Sequence, residues 1–164
     1  MIRQEEFERL YEAHAGPLLA FLEYRTGDPQ LARDVLADTF ERILTTRWRF
    51  DSRKGGQKTW LYSIALNRLR DLGRRKGAES RALERLAAGS AESVWHEQAE
   101  ALDTRDALLR ALATLPNEER EALALRYGGD LSLKEIATMT GTRTTTVKGR
   151  VHRGLRRLRE ELGE

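Results

Sequence analysis

Val147, Val151, Leu155, Leu158 and Leu162 recur every three or four residues. That spacing stacks them as one stripe along an α-helix, whereas a strand would scatter them over both faces. The same rhythm runs through most of the chain. Phe7, Leu10 and Tyr11 carry it first, and Leu18, Leu19 and Leu22 resume it after Gly16-Pro17. Leu31, Val35, Leu36, Phe40, Ile43 and Leu44 form a second apolar face. Trp60, Leu61, Ile64, Ala65, Leu69 and Leu72 form a third, and Leu108, Leu109, Leu112 and Leu115 a fourth. Such a chain buries its apolar stripes by packing helix on helix, so the expected fold is all-α.

Punctuation sets the boundaries. Gly27 ends the first stretch, and Asp28-Pro29 supplies an N-cap followed by proline at the first helical position, where its missing N–H costs nothing. The helix so started should stop near Trp48. Phe50 to Lys58 is polar and contains Gly55-Gly56, which marks a loop. A third helix should begin near Thr59 and end at Gly73 and the Arg74-Arg75-Lys76-Gly77 run. Residues 77–103 then turn rich in Ala, Glu, Ser and Gly with few large apolar side chains. They read as a flexible linker with weak helix, in which Trp95 is the exception and a candidate for docking on a neighbouring domain. The chain of 164 residues is therefore expected to hold two small helical domains, residues 1–76 and 104–164, joined by residues 77–103.

Net charge is only +3, but its distribution is uneven. Between Arg42 and Lys76 the acids are only Asp51 and Asp71, against a long series of Lys and Arg. Between Arg143 and Arg159 there is no acid at all. Two separated basic blocks in a balanced chain are footprints suited to a polyanion. The absence of cysteine excludes disulfides, thiolate catalysis and cysteine-based zinc sites. No apolar run approaches the ~20 residues that span a bilayer, and the charged start from Met1 to Glu12 is unlike a signal peptide. A cytoplasmic protein without membrane insertion is expected.

The C-terminal part is laid out as a helix-turn-helix. Pro116 opens a helix through Leu123, Leu125 and Tyr127, which Gly128-Gly129 breaks. Ser132 and Glu135 stand in capping-box register before Ile136, Ala137 and Met139, and Gly141 suits a tight turn. On the helix that follows, the side opposite the Val147–Leu162 stripe presents Thr145, Thr146, Gly149, His152, Arg153 and Arg156, flanked by Lys148 and Arg150. Small residues let a helix sink into the major groove, and arginines there can bond guanine edges or phosphates.

The N-terminal part combines an acidic helix, bearing Asp34, Asp38 and Glu41, with a basic loop and then Trp60, Tyr62 and Asn67. Aromatic rings beside cations suit single-stranded DNA, because bases stack while charges hold the backbone. Taken alone, Trp60 and Tyr62 fit core positions better than stacking platforms; the adjoining basic loop narrows that difference.

Leu36-Ala37-Asp38-Thr39-Phe40, followed by Thr59-Trp60-Leu61-Tyr62-Ser63-Ile64-Ala65-Leu66-Asn67, resembles region 2 of the extracytoplasmic-function sigma factors. Leu115-Pro116 with Glu119-Arg120-Glu121, Leu125-Arg126-Tyr127, Leu131-Ser132-Leu133-Lys134-Glu135-Ile136-Ala137 and Thr146-Val147-Lys148-Gly149-Arg150-Val151-His152-Arg153-Gly154 resemble their region 4. The resemblance covers both parts in the family's order. It implies an RNA polymerase subunit that finds and opens promoters, with no cofactor and no catalytic residue. Asp34, Asp38, Phe40 and Arg42 would then meet core polymerase. Arg53, Lys54, Lys58, Trp60, Tyr62, Asn67 and Arg68 would hold the minus-ten element, with the Phe50 to Lys58 loop receiving a flipped base. Thr145, Thr146, Lys148, Gly149, Arg150, His152, Arg153 and Arg156 would read the minus-thirty-five duplex. An anti-sigma protein is a further candidate partner, since the family commonly has one. Gln57 departs from the aromatic or apolar residue usual there, and Gly149 from the usual Ser.

A duplex-only helix-turn-helix regulator is the alternative, but it leaves the acidic helix and basic aromatic block without a role. An enzyme would need a carboxylate cluster or a metal site, and His14, His96 and His152 are scattered.

Overall fold

In the computed structural model of the chain, residues 2–45, 50–84 and 104–163 are described. Helix α1 spans Gln4–Thr26, α2 Pro29–Thr45, α3 Gln57–Glu84, α4 Thr104–Thr114, α5 Asn117–Leu123, α6 Leu133–Thr140 and α7 Thr144–Leu162. A single 3-10 turn, Ser52–Lys54, precedes α3, and a π-helical turn, Ala124–Gly128, extends α5. Among the described residues there is no strand.

Local chemistry sets most of these limits. α1 continues without a break past Gly16-Pro17. Leu18, Phe21 and Leu22 beyond the proline are fully buried, and their burial outweighs the one backbone hydrogen bond that Pro17 cannot make. Gly27 ends α1 in the left-handed conformation, φ 66°, donating its N–H to the Glu23 carbonyl at 2.8 Å. The Asp28 carboxylate then accepts the N–H groups of Gln30 and Leu31, at 3.0 and 3.2 Å, capping α2.

α3 differs from its expected limits at both ends. It starts at Gln57, so Lys58 belongs to its first turn and not to the loop. It also continues past the Arg74-Arg75-Lys76-Gly77 run to Glu84, so residues 77–84 of the expected linker are helical. Gly73 and Gly77 each disfavour helix by only about 1 kcal/mol, and the Arg, Lys, Ala, Leu and Glu around them are good helix formers. Trp95 and the rest of the expected linker, like the end of α2 near Trp48, lie outside the described residues.

One apolar core runs through the molecule. Leu10, Leu18, Phe21, Leu22, Val35, Ile43, Leu61 and Leu66 from the first half join Leu112, Leu115, Leu123, Leu125, Leu131, Ile136, Val147 and Val151 from the second. α1 is the element that links them. It packs on α2 on one side and on α4, α5 and the π turn on the other, while α3 meets α6.

Candidate nucleic-acid interface

The helix-turn-helix is built from α6 and α7. Ser132 Oγ accepts the Glu135 N–H at 3.1 Å, and the Glu135 carboxylate accepts the Ser132 N–H at 3.2 Å, so the expected capping box is present. Gly141, at φ 66°, makes the turn. Val147, Val151 and Gly154 face inward. Thr145, Thr146, Lys148, His152, Arg153 and Arg156 are exposed, and Gly149 is half-buried. Arg150, expected on the flank of that face, is half-buried on the side facing α5, where its guanidinium pairs with Glu118 at 3.4 Å. Arg153 Nε and Arg157 Nε lie 3.5 and 3.3 Å from the two oxygens of Glu119, a buried acid on α5.

In the first half, Asp34 and Arg42 are exposed on α2. Asp38 is ion-paired with Arg68 of α3, which joins a residue expected to meet polymerase to one expected to meet the melted strand. Phe40, expected to meet core polymerase, is covered within the chain. It is 4% exposed, with its ring edge-on to Phe7 at 5.8 Å and to Tyr11 at 4.9 Å, so it packs under α1.

The loop before α3 is shaped by Asp51, whose carboxylate accepts the backbone N–H of Arg53 and both Nε and Nη2 of its side chain, at 3.0–3.2 Å. Gly55 adopts φ 144°, a conformation that side chains oppose. Trp60 is half-buried, with its ring 5.7 Å from that of Phe50, and Asn67 is exposed. Nothing is described for the Lys54 side chain.

Tyr62 lies in the core, the place its residue type favours when taken alone. It is fully buried, with its ring 5.4 Å from Phe21 and the backbone of Gly129 against its edge. Its hydroxyl has no hydrogen-bond partner among the described residues. Burial first, and the Asp130 charge second, push its pKa far above the ordinary phenol range.

The surface that covers Tyr62 was not legible as such in the sequence. The π turn lies against α1 so closely that a Cβ on Gly128 would stand 2.9 Å from the Phe21 Cα. Lys58 Nζ donates to the Asp130 carbonyl at 3.1 Å, and Thr59 Oγ1 to Glu135 at 3.3 Å. Glu121 accepts from Arg25 at 3.4 Å and Arg70 at 3.3 Å, and Glu23 pairs with Arg105. The only signal was Gly128-Gly129, which permits close approach as well as helix breaking.

Among the described residues, no three His, Cys, Asp or Glu side chains are grouped as a metal site, and no helix is long and apolar enough to cross a membrane. A helix-turn-helix with an exposed basic face, joined to a helical half with a basic loop and an acidic helix, is the architecture of a DNA-binding protein.

Comparison with known proteins carries this further. Residues 10–79 match the family Sigma-70 region 2, and residues 105–158 match Sigma-70, region 4. RNA polymerase sigma factor CarQ of Myxococcus xanthus is 32% identical over 98% of this chain and 91% of its own. The ECF RNA polymerase sigma factor SigM of Bacillus subtilis is 26% identical over 93% and 92%. A solved structure of the sigma factor RpoE from Bartonella quintana, in complex with the anti-sigma factor NepR, superposes with a TM-score of 0.79. It is 25% identical and covers 97% of this chain and 98% of that one. The chain belongs to the RNA polymerase sigma factors, in their extracytoplasmic-function group.

Proposed function

We propose a division of labour among the described surfaces. The outward face of α7, with Thr145, Thr146, Lys148, Gly149, His152, Arg153 and Arg156, reads the minus-thirty-five element as duplex. Arg150 supports that face from its side through Glu118. Asp34, Asp38 and Arg42 on α2 meet core polymerase, and Phe40 holds α2 in place from beneath. Arg53, Lys54, Lys58, Trp60, Asn67 and Arg68 form the minus-ten surface. Tyr62 can join that surface only when the second half moves off it. The protein works by binding and not by catalysis, and an anti-sigma protein is a further partner, as NepR is for the Bartonella relative.

The observation that carries this reading is the placement of exposed cations on the outer face of an acid-free helix start, opposite the buried Val147 and Val151. Run-off transcription with core polymerase on a genomic fragment library tests it. Start sites sharing two spaced elements are the expected result. Operator binding by the protein alone, with no effect on polymerase, would sink it.

A further inference from the structure

Arg153 does not stand straight out from α7. Helical side chains lean toward the N-terminus, so each head group covers the turn before its own Cα. Arg153 therefore lies back over Gly149, four residues earlier. A Cβ at Gly149 would be 3.1 Å from Arg153 Nη1 and 3.9 Å from Cζ and Nη2. The terminal nitrogens fill the place where any side chain at position 149 would begin.

The other edge of the guanidinium is held by Glu119. That acid is 6% exposed, and a buried carboxylate is unfavourable unless paired, so its contacts with Arg153 Nε and Arg157 Nε are strongly favoured. The pair can form because α5 approaches α7 closely at Gly154. A Cβ there would stand 2.9 Å from Leu123 Cδ1 and 3.5 Å from the Glu119 Cβ. Arg153 nevertheless keeps half of its side chain exposed. Its terminal amines lie on the outward row that Thr145 and Thr146 begin.

We infer that Glu119 and Gly149 are positioning residues that aim Arg153 at one base pair of the upstream element. The inference rests on the proposal that the outward face of α7 reads duplex DNA. Glu119 fixes the Nε edge from inside the domain, and Gly149 leaves the space into which the terminal amines fold. A bidentate base contact needs both terminal N–H groups in the plane of the base, and an arginine already held there loses less freedom on binding. Arg157 shares Glu119 but lies a turn further along, so it has no part in the aim.

The test uses the full chain with core polymerase, transcribing a template library randomised across the upstream element. Base preference is read at each position, and thermal unfolding is measured in parallel. Arg153→Ala should flatten the preference at one position by about tenfold or more. Gly149→Ala should flatten or move the preference at that same position without loss of thermal stability, because alanine favours helix and the arginine end can shift. The double variant of Gly149→Ala and Arg153→Ala should match Arg153→Ala alone. Glu119→Gln should weaken the same preference several-fold, while Arg157→Ala should leave the profile unaltered.

If Arg153→Ala alters no position, the reading of α7 as the recognition helix itself fails. If Arg153→Ala acts but the Gly149 and Glu119 variants leave the profile intact, or act elsewhere and additively, the positioning inference is overturned and the recognition reading stands. If Arg157→Ala reproduces the Glu119→Gln profile, the effect is one of general packing between α5 and α7, and the inference is likewise overturned.

Discussion

Tyr62 of α3 and Gly129, just past the π turn, touch across the two halves of the molecule: a Cβ on Gly129 would stand 2.8 Å from Tyr62 Cε1 and 2.9 Å from the Leu125 carbonyl. Neither neighbour can yield freely, since the ring is enclosed and the carbonyl is backbone. Gly129→Ala should therefore destabilise the folded chain by about 1–3 kcal/mol through overpacking. Gly56→Ala is the control, because a Cβ there meets nothing within 4 Å. Chemical unfolding of both variants checks this, with a small-angle scattering radius to show whether the halves part. Equal stability for the two would mean that the contact does not hold the halves together.

The Tyr62 hydroxyl is buried without a partner, so it contributes a desolvation cost and no hydrogen bond. Tyr62→Phe should be neutral or more stable by about 1 kcal/mol. The phenol pKa is raised in the folded state, so its contribution is fully present below the unfolded value of about 10 and is lost as pH rises above it. Above that pH the parent should lose stability more steeply than Tyr62→Phe, by up to about 1.4 kcal/mol per pH unit. Parallel unfolding curves from neutral to alkaline pH measure the difference.

Asp34 is exposed on α2, where its carboxylate accepts only a hydrogen bond from Gln30 among the contacts described. Asp34→Lys should leave the fold helical and weaken core polymerase binding by on the order of 1 kcal/mol, about fivefold in affinity. Phe40→Ala should behave differently. Removing a ring packed against Phe7 and Tyr11 costs about 3–5 kcal/mol of stability. Co-purification with core polymerase, read beside circular dichroism, separates the two effects.

The capping box offers a local test of the helix-turn-helix. Ser132→Ala should cost about 1 kcal/mol. Burial alone would raise the Glu135 pKa, but the hydrogen bonds from Ser132 and Thr59 and the nearby Lys58 charge outweigh it and lower the value. A depressed carboxylate contributes stability above its unfolded pKa and loses it as pH falls through the folded one. Parent and Glu135→Gln should therefore converge in stability as pH drops below about 4. Persistent divergence in acid would show that the Glu135 charge is not what stabilises this corner.

What the sequence by itself determined is the set of local structures. Periods of three and four residues place Val147 and Val151 on one side of a helix and Thr145, Thr146 and His152 on the other, whatever else the chain does. The Asp28 cap, the Ser132–Glu135 box and the left-handed turns at Gly27 and Gly141 are equally local, because each closes hydrogen bonds within a few residues. Tertiary structure alone decided which of several apolar or charged side chains would be covered. Tyr62 fits a core position better than a stacking platform without excluding the second, and Phe40 sits on an apolar face that a partner or the chain itself can cover; distant segments, the π turn and α1, close over them. Arg150 and Arg153 belong to a run without acids, yet Glu118 and Glu119, some thirty residues earlier, turn them toward α5. Gly128-Gly129 reads as a helix break, and only the approach of Phe21 and Tyr62 reveals a contact surface. Periodicity reports which face of a helix is apolar, but it carries no information about which remote segment will close over that face.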